Sequence, residues 1–514
     1  MCIFYEKGRE KMSGKEKKQK VGFLGTIERV GNALPHPFIL FLIITGVLVV
    51  LAAILAAFGV SVTNPTTDEV VAVKSLLNKD GLAWFMTSMV SNFSSFAALG
   101  VVLAMQMAIG VAEGSGLLTT AMRRAILGVP TWLLTAVVIF LGINGSIASE
   151  ASIIFIPPLA ATAFLAAGKH PVAGLMAGYA AVNAGFTANV MITATDALLY
   201  PVTEEIAKGV DPSYSTTVAN NWYFMIASCF MLTIVGVFVN NKFIAPRLGK
   251  YEGEQLDNER DATDVEKKGL RNAGIFSAIY IAIILIGLIP KNGFLRDAEG
   301  SVLNGPFIAG LVGFLILYFV LVGIVYGKTV GAFKKASDVP KMMADSLNSL
   351  TGYIVLVFVI AQFIQIFNYT NLGTVIAVTG ANFLKSAGLT GIPMILCIIV
   401  ITTFVNFFMT SGTAKWYIFA PIFVPMFMML GYSPEFAQVI YRIGDSCTNP
   451  ITPIYPYLPM IIGMAAKYDK KAGMGTVISM TLPYSISFLI SWIIMIIAWM
   501  LLNLPLGPGA SVFM

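Results

Sequence analysis

Long apolar runs alternate with short polar stretches along most of the chain. One run, PFILFLIITGVLVVLAAILAAFGV at 37–60, contains no charged residue. About 20 apolar residues are enough to carry a helix across the hydrocarbon core of a bilayer. The pattern predicts nine full spans, at about 37–60, 85–110, 172–199, 222–240, 272–290, 305–326, 351–368, 434–460 and 478–503. Because a membrane β-strand would alternate over about ten residues, we expect an all-α polytopic membrane protein.

Two further apolar stretches each consist of two short arms around a polar tip. They cover 126–167 and 391–432, with the tips NGSIASE (144–150) and NFFMTSGTAKW (406–416). The arms of the first stretch are short for full spans, and Pro157-Pro158 interrupts one of them. Irregular backbone at membrane depth is tolerated only where it is buried in protein or lines a water-filled cavity. We therefore predict two re-entrant hairpins whose tips stop inside the protein.

Positive charge is concentrated on one side of the predicted spans. Lys and Arg cluster in the N-terminal tail, at Arg123-Arg124, in 241–271 and in 328–341, whereas the loops 61–84 and 201–220 are acidic or mixed. Cytoplasmic loops carry the excess of Lys and Arg in membrane proteins. We expect a multi-pass protein of the cell inner (cytoplasmic) membrane, with a cytoplasmic tail at 1–30 and an external C-terminus. The predicted halves, 31–240 and 272–514, are joined by a cytoplasmic linker at 241–271.

The composition excludes an ordinary soluble protein. Of the 514 residues, 57% are hydrophobic and 12% are charged, and the mean hydropathy is +0.80. Soluble proteins carry roughly 25% charged residues. The net charge of +6 lies mostly in the predicted cytoplasmic segments. The expected partner is therefore the lipid bilayer, and no nucleic-acid partner is expected.

The two halves repeat the same order of features. Each hairpin tip is followed by a proline-bearing apolar arm, a G-x-x-P turn and a helix that a polar segment interrupts. The turns are Gly168–Pro171 and Gly431–Pro434, and the interruptions NAGFTAN (183–189) and DSCTNPITP (445–453) lie in broken helices at 172–199 and 434–460. Because the first unit starts from the inside and the second from the outside, the halves are predicted to form an inverted-topology repeat.

Repeats of this kind bring two broken helices and two tips together near the membrane midplane, where they bind substrates and ions. Prolines 450 and 453 prevent the second helix from continuing. The candidate substrate- or ion-binding residues are Ser146, Ser149, Glu150, Asn183, Thr187, Asn189, Asp196, Asn406, Ser411, Thr413, Trp416, Arg442, Asp445, Thr448, Asn449 and Pro453. Neutral oxygens near Ser146, Asn183, Thr410 and Thr448 are candidate Na+ ligands. No catalytic residue and no bound cofactor is predicted, and the coupling ion is H+ or Na+.

Several of these side chains allow a second interpretation. Charged groups inside a membrane are costly and usually functional, but Arg442 and Asp445 lie three residues apart and could pair on one helix face. Asp196 could carry a proton, contact substrate or be an interfacial carboxylate. Glu150 could titrate or cap a helix. The Ser, Thr and Asn residues could simply form contacts between helices.

The second tip also contains a candidate aromatic contact. Trp416 could stack on an aromatic substrate or pack within its arm. Lys415, beside it, could meet a carboxylate.

Several long segments resemble the AbgT-type p-aminobenzoyl-glutamate transporters, which have the ion-transporter superfamily fold. The resemblance covers nearly the whole chain from about residue 22. It is carried by GFLGTIERVGNALPHPFILF (22–41), SEASIIFIPPLAA (149–161), GKHPVAGL (168–175), AKWYIFAPIFVPMFMMLGYSPEF (414–436) and YRIGDSCTNPITP (441–453). The chain departs from the family pattern in its second tip, TSGTAKW where relatives have SASAKW, and at Cys447 and Pro450.

The resemblance implies a homodimer in which each subunit has nine transmembrane helices, two re-entrant hairpins, a transport core and an outer scaffold. It implies uptake of p-aminobenzoyl-glutamate and export of sulfonamide-like antimetabolites, by an elevator-like movement of the core. The family residues tied to transport fall on Asp196, Asn406, Trp416, Pro434, Arg442, Asp445 and Pro453, and Thr413 takes a hydroxyl position where relatives often have Ser.

The predicted function is secondary active transport of p-aminobenzoyl-glutamate or a related aromatic carboxylate, driven by an ion gradient through alternating access. The alternative is a proton-driven efflux pump for sulfonamide antimetabolites. A remote alternative is an intramembrane enzyme, but the chain has only two His, neither near a Ser or Asp cluster, and no H-E-x-x-H motif. A channel is disfavoured by the inverted repeat of broken helices.

Overall fold

Helices make up almost all of the regular structure in the computed structural model, which describes residues 35, 37–63, 70–148, 151–253, 262–302 and 305–514. The first half contains α1 (Pro37–Ala57), α2 (Lys79–Ser94), α3 (Ala97–Gly114), α4 (Leu117–Leu127), α5 (Leu134–Ile143), α6 (Ala151–Ala166), α7 (Pro171–Ala184), α8 (Ala194–Lys208), α9 (Trp222–Val239) and α10 (Ala245–Leu248). A two-stranded antiparallel ribbon, β1 (Ser61–Thr63) and β2 (Val70–Ala72), follows α1 and pairs Val62 with Val71.

The second half is also helical. It contains α11 (Asp264–Leu288), α12 (Pro306–Ala309), α13 (Leu311–Val330), α14 (Asp338–Leu347), α15 (Thr351–Tyr369), α16 (Leu372–Ser386), α17 (Ile392–Asn406), α18 (Gly412–Met429), α19 (Pro434–Cys447), α20 (Leu458–Ala466) and α21 (Met474–Leu501). Short 3-10 turns occupy Asn144–Ala148, Asn348–Leu350 and Asn449–Ile451, and a π-helical turn occupies Asn240–Ile244.

Seven helical segments in the described residues are long and apolar enough to cross a membrane. They are Phe38–Ala57, Lys79–Gly114, Trp222–Leu248, Asp264–Leu288, Leu311–Val330, Thr351–Tyr369 and Met474–Leu501, and each matches one predicted span. The other two predicted spans, 172–199 and 434–460, are interrupted helices whose pieces are too short to cross alone. The chain is therefore a membrane protein with a predominantly helical fold.

Both predicted hairpins consist of two short helices that meet at a polar turn. In the first, α5 and α6 are joined through the 3-10 turn at Asn144–Ala148; in the second, α17 and α18 are joined by residues 407–411. Prolines 157 and 158 lie inside α6, and Pro421 and Pro425 lie inside α18.

The helix that follows each hairpin is built in the same way in both halves. Helices α7 and α19 each have 14 residues and begin with a proline. A proline at this position costs no hydrogen bond, since the first helical N–H has no partner within the helix. The preceding side chain caps the helix: His170 Nδ1 accepts from Val172 N, and Ser433 Oγ accepts from Phe436 N.

Glycines allow these two helices to approach their hairpins closely. A Cβ atom at Gly174 of α7 would lie 2.4 Å from the carbonyl oxygen of Ala160 in α6. One at Gly444 of α19 would lie 2.9 Å from the carbonyl oxygen of Ile399 in α17. The largest buried apolar cluster surrounds the hairpins and broken helices, and a smaller one joins α3, α11 and α13.

Several boundaries differ from the sequence-based predictions. The predicted span 85–110 is two helices, α2 and α3, that separate at Ser95 and Phe96. Helix α11 begins inside the predicted linker because Thr263 and Glu266 form a reciprocal capping box there. Helices α4, α14 and α16 were not predicted, because none of them carries an apolar run long enough to span a membrane.

Candidate functional site

The first broken helix ends at Ala184 and resumes at Ala194. Its second piece, α8, starts with a capping box in which Asp196 Oδ2 accepts from Thr193 N at 2.7 Å and from Thr193 Oγ1 at 2.9 Å. A carboxylate in the first turn also interacts favourably with the helix dipole. Local sequence thus fixes Asp196 in the first turn of α8, where its side chain is 9% exposed.

The second broken helix ends at Cys447 and resumes as α20 at Leu458. The intervening chain makes one 3-10 turn, Asn449–Ile451, and then runs without helical structure past Pro453. Pro450 and Pro453 have no N–H group to offer to a continuing helix, which explains the break.

An ion pair joins the two broken helices. Arg442 Nη2 lies 2.7 Å from Asp196 Oδ1 and donates to the carbonyl oxygen of Thr187 at 2.9 Å. The Thr187 hydroxyl lies 2.7 Å from the Ser446 hydroxyl, which donates to the carbonyl oxygen of Arg442. Arg442 is fully buried. Its charge is therefore used within the protein to hold α19 against the start of α8.

A second ion pair joins the second hairpin to α19. Lys415 Nζ lies 2.5 Å from Asp445 Oδ1, and both side chains are buried. The Tyr441 hydroxyl donates to the carbonyl oxygen of Gly412 and lies 3.3 Å from Asp445 Oδ1. The alternative in which Arg442 and Asp445 pair with each other is therefore wrong, because each has a partner on a different helix.

Asn406 connects this hairpin to both broken helices. Its Nδ2 donates to Thr448 Oγ1 and to Asn449 Oδ1, each at 2.8 Å, and its Oδ1 accepts from Lys415. The Asn449 amide in turn donates to the carbonyl oxygen of Asn183 at 3.4 Å.

The described residues of the first tip form a smaller network that contains no charged side chain. Ser146 donates to Asn189 Oδ1, and Asn189 Nδ2 donates to the carbonyl oxygen of Thr187 at 3.2 Å. Asn144 Oδ1 accepts from Val190 N at 2.8 Å. Asn183 is fully buried, and its Oδ1 has no hydrogen-bond partner within the described part of the chain.

A cavity of about 340 Å³ lies between the second tip and the two breaks. Its walls combine aromatic rings, hydroxyl groups and one carboxylate, from Ile153, Phe186, Thr187, Thr195, Leu198, Leu199, Thr410, Ser411, Gly412, Thr413, Tyr441, Asp445, Asn449, Tyr455, Pro456 and Tyr457. A second cavity of about 680 Å³ shares Phe186, Thr195 and Leu198 with it and extends to Glu113 of α3 and to Asp345 of α14. The two cavities are therefore neighbours that have three lining residues in common.

The predicted site residues have different surroundings in the structure. Those that line the two cavities are Ser146, Thr187, Thr410, Ser411, Thr413, Asp445 and Asn449. Those in the surrounding network are Asn183, Asn189, Asp196, Asn406, Arg442 and Thr448. Ser149 and Glu150 lie outside the described residues. Pro453 is half-buried in the second break, and Pro434 is the first residue of α19.

The candidate Na+ ligands are divided among several contacts, although Asn183 is linked to Thr448 through Asn449 and Asn406. Ser146 contacts Asn189 in the first half, whereas Thr448 accepts from Asn406 in the second. Thr410 lines the smaller cavity. Among the described residues, no group of three or more His, Cys, Asp or Glu is arranged to hold a metal ion.

Trp416 does not line either cavity. Of its two interpretations, packing within its arm fits the structure better than stacking on a substrate. Its side chain is fully buried, and its Nε1 donates to Thr203 Oγ1 of α8 at 3.1 Å. Its ring packs against Tyr441 with the ring centroids 4.8 Å apart. Trp416 thus supports the cavity wall from behind.

The sequence analysis missed several residues of the site. Tyr455 and Tyr457 follow the second break directly, and Phe186 lies within the first. Their positions beside candidate residues could have identified them as part of the site. Glu113 and Asp345 offered no such signal, because α3 and α14 are distant in sequence from both breaks. The carboxylate that Lys415 meets is Asp445.

Comparisons with known proteins show what the chain as a whole is similar to. The model of the AbgT transporter family matches residues 22–514. The p-aminobenzoyl-glutamate transport protein of Escherichia coli (strain K12) is 43% identical over 486 residues, which cover 94% of this chain and 96% of that protein.

Two solved structures are also similar. The MtrF protein of Neisseria gonorrhoeae, from a class of antimetabolite efflux pumps, superposes with a TM-score of 0.90 at 42% identity, over 95% of this chain and 100% of that one. The YdaH transporter of Alcanivorax borkumensis, described as having an unusual topology, gives a TM-score of 0.88 at 38% identity, over 92% of this chain and 100% of that one.

Proposed function

Because the chain belongs to the AbgT transporter family, we propose that it is a secondary active transporter of p-aminobenzoyl-glutamate or a related aromatic carboxylate. The observation that carries this proposal is the cavity of about 340 Å³ between the second tip and the two breaks. Its volume lies in the usual range for small-molecule sites. Rings of Phe186, Tyr455 and Tyr457 suit an aromatic group, and the hydroxyls of Ser411 and Thr413 suit carboxylate oxygens.

The proposed topology has nine transmembrane helices and two re-entrant hairpins. It counts the seven candidate spans and the two broken helices as crossings. The basic segments then lie in the cytoplasm, so the proposal puts the N-terminus inside, and it takes the membrane to be the inner membrane of the cell. A homodimer in a lipid bilayer is part of the same proposal, with the hairpins and broken helices as the moving core.

Transport is proposed to be coupled to a gradient of H+ or Na+. Two ion pairs and many oxygen atoms surround the breaks, so a bound ion at this place would alter the contacts between hairpins and broken helices. Alternating access requires those contacts to differ between the two states.

The test is uptake of labelled p-aminobenzoyl-glutamate into proteoliposomes, with proton and sodium gradients imposed separately. We expect accumulation with one gradient and its loss in Asp445→Ala, because this carboxylate both lines the cavity and fixes the second tip. Glu299→Ala removes an exposed carboxylate outside the site and serves as the control. Folded protein that accumulates nothing under either gradient would refute the substrate assignment.

Efflux of sulfonamide antimetabolites is a second candidate function, favoured by the similarity to MtrF. Both classes of ligand contain a p-aminobenzene group, and the same aromatic wall would accept either. Cells that express the chain would then retain less labelled sulfonamide and tolerate more of it than cells that express Asp445→Ala. Equal retention in the two strains would exclude this function.

A further inference from the structure

Lys415 is a buried cation with two oxygen contacts. Its side chain is fully buried, and its Nζ contacts Asp445 Oδ1 at 2.5 Å and the amide oxygen of Asn406. These contacts come from the end of α17, the first turn of α18 and the end of α19. The ammonium group therefore links three helices at the tip of the second hairpin.

The amide group of Asn406 is oriented toward the ammonium. Since its Nδ2 donates to Thr448 and Asn449, its oxygen is left to face Lys415. Asn449 continues the chain of hydrogen bonds to the carbonyl oxygen of Asn183. The position of one ammonium group is thus connected to both broken helices.

The carboxylate and the lysine differ in their access to the cavity. Asp445, Gly412 and Thr413 line the cavity of about 340 Å³, but Lys415 does not. A small cation that entered the cavity could therefore reach the carboxylate of Asp445 if the lysine ammonium were absent.

The equivalent positions of the first repeat carry no such cation. Ser152 stands at the same distance before its G-x-x-P turn as Lys415 does before the second one, and Val182 of α7 takes the position of Asp445 in α19. A charge at this place is consequently a property of the second repeat alone.

We propose that the Lys415 ammonium is a built-in cation that closes the tip of the second hairpin onto the second broken helix, in the place of a dissolved monovalent cation. Oxygen atoms at helix ends and breaks are the groups that hold dissolved cations in transporters with inverted repeats. A lysine side chain carries a compact positive charge on a flexible aliphatic chain. Because this side chain is part of the protein, the charge stays at the tip of the second hairpin. Lys415 is therefore a positioning residue, and closure of this tip needs no dissolved cation, whichever ion drives transport.

The test is thermal unfolding of the purified full chain in detergent, which requires no transported substrate. Melting temperatures are measured in choline, sodium, ammonium and methylammonium chloride at equal ionic strength. The variants are Lys415→Ala, Lys415→Ala combined with Asp445→Asn, and Lys385→Ala. Lys385 is an exposed lysine in the last turn of α16 and serves as the matched control.

The wild type and Lys385→Ala should melt at temperatures that do not depend on the cation. Lys415→Ala should lose several degrees in choline, because Asp445 loses its partner in a buried site. A small cation should restore most of this loss in a saturable manner, which general salt screening would not do. The double variant should be more stable than Lys415→Ala and insensitive to the cation.

A melting temperature of Lys415→Ala that is equally low in all four salts would overturn the proposal. Cation dependence that persists in the double variant would also overturn it, because Asp445 would then not be the ligand. If Lys415→Ala cannot be purified in any salt, the proposal is tested by whether the double variant can be purified as folded protein. Recovery of folded protein supports the buried charge pair, and failure of the double variant as well contradicts it.

Discussion

The two repeats share a backbone plan but differ in their chemistry. Helices α7 and α19 have the same length, the same first residue and a capped N-terminus. Yet the ninth residue is Tyr179 in one and Arg442 in the other, and the twelfth is Val182 in one and Asp445 in the other. The fold therefore supplies two equivalent breaks, but at these two positions the helix before the first break is neutral and the helix before the second is charged.

Because of this difference, the two breaks make different kinds of contact. In the second repeat, buried charges tie the hairpin tip and α8 to α19 through two ion pairs. In the first, neutral groups such as Ser146 and Asn189 contact each other, and Asn183 keeps an unused acceptor among the described residues. We expect the charged repeat to set the rigidity of the site, and the neutral repeat to be the better place for a dissolved ion to bind.

The largest expected effect comes from Arg442→Met compared with Tyr179→Phe, which changes the equivalent position. Loss of Arg442 leaves Asp196 as an unpaired buried charge, which costs about 3–5 kcal/mol. Loss of the Tyr179 hydroxyl should be neutral or slightly stabilising, because this buried group has no partner within the described structure. Thermal unfolding in detergent measures both effects. Equal destabilisation by the two substitutions would contradict the chemical difference between the repeats.

The next effect is expected from Gly412→Ala. A Cβ atom there would lie 2.5 Å from Asp445 Oδ2, so the second tip must shift away from α19. Forced contacts of this kind cost typically about 1–3 kcal/mol, and we expect uptake in proteoliposomes to fall strongly while the protein remains folded. Gly463→Ala in α20 is the control, since nothing lies within 4 Å of the added atom. Full uptake activity of Gly412→Ala would contradict this prediction, because the tip would then tolerate displacement from Asp445.

A smaller effect is expected at the direct contact between the two breaks. The hydroxyls of Thr187 and Ser446 lie 2.7 Å apart and are buried. A double-mutant cycle of Thr187→Val and Ser446→Ala should give a coupling free energy of about 0.5–1.5 kcal/mol, the usual net value of a hydrogen bond. Additive effects on the melting transition would mean that the breaks are not coupled through this contact.

The smallest effect concerns the caps of α7 and α19. Burial lowers the pKa of His170, and nearby Asp469 opposes this shift. Only the neutral ring can accept the hydrogen bond from Val172 N. With a folded pKa below the unfolded one, this contribution to stability is present above about pH 6.5 and is lost as pH falls through the folded pKa. The melting temperature should therefore decline less between pH 7 and pH 5 in His170→Ser than in the wild type, whereas Ser433→Ala should leave that decline unchanged.

Much of the site followed from the sequence because the two breaks carry local signals. The G-x-x-P turns, the prolines after Cys447 and the polar segments at 183–189 and 445–453 all appear within short windows. Together with the polar tip at 406–416 and the charged residues within the predicted span 434–460, they placed Asn406, Arg442 and Asp445 in the region where the structure brings the hairpins and broken helices together. The nine-span topology, the hairpins' position in the bilayer and the coupling ion stay predictions.

The partners of the charged groups did not follow from the sequence. Spacing along one helix allowed Arg442 to pair with Asp445, yet Arg442 contacts Asp196, which is distant in the chain. The role of Trp416 was also open, since its burial depends on how α18 packs against α8. Glu113 and Asp345 reach the larger cavity only because α3 and α14 pack together beside it.

The sequence by itself determined the membrane class, the repeated order of tips and breaks, and the places where helices must stop. Each depends on hydrophobicity, proline and capping groups that act within a few residues. Only the tertiary structure decided which acid pairs with which base, which side chains face the cavity and which support it from behind. Those choices depend on contacts between residues far apart in the chain, since a buried charge takes the partner that packing brings nearest.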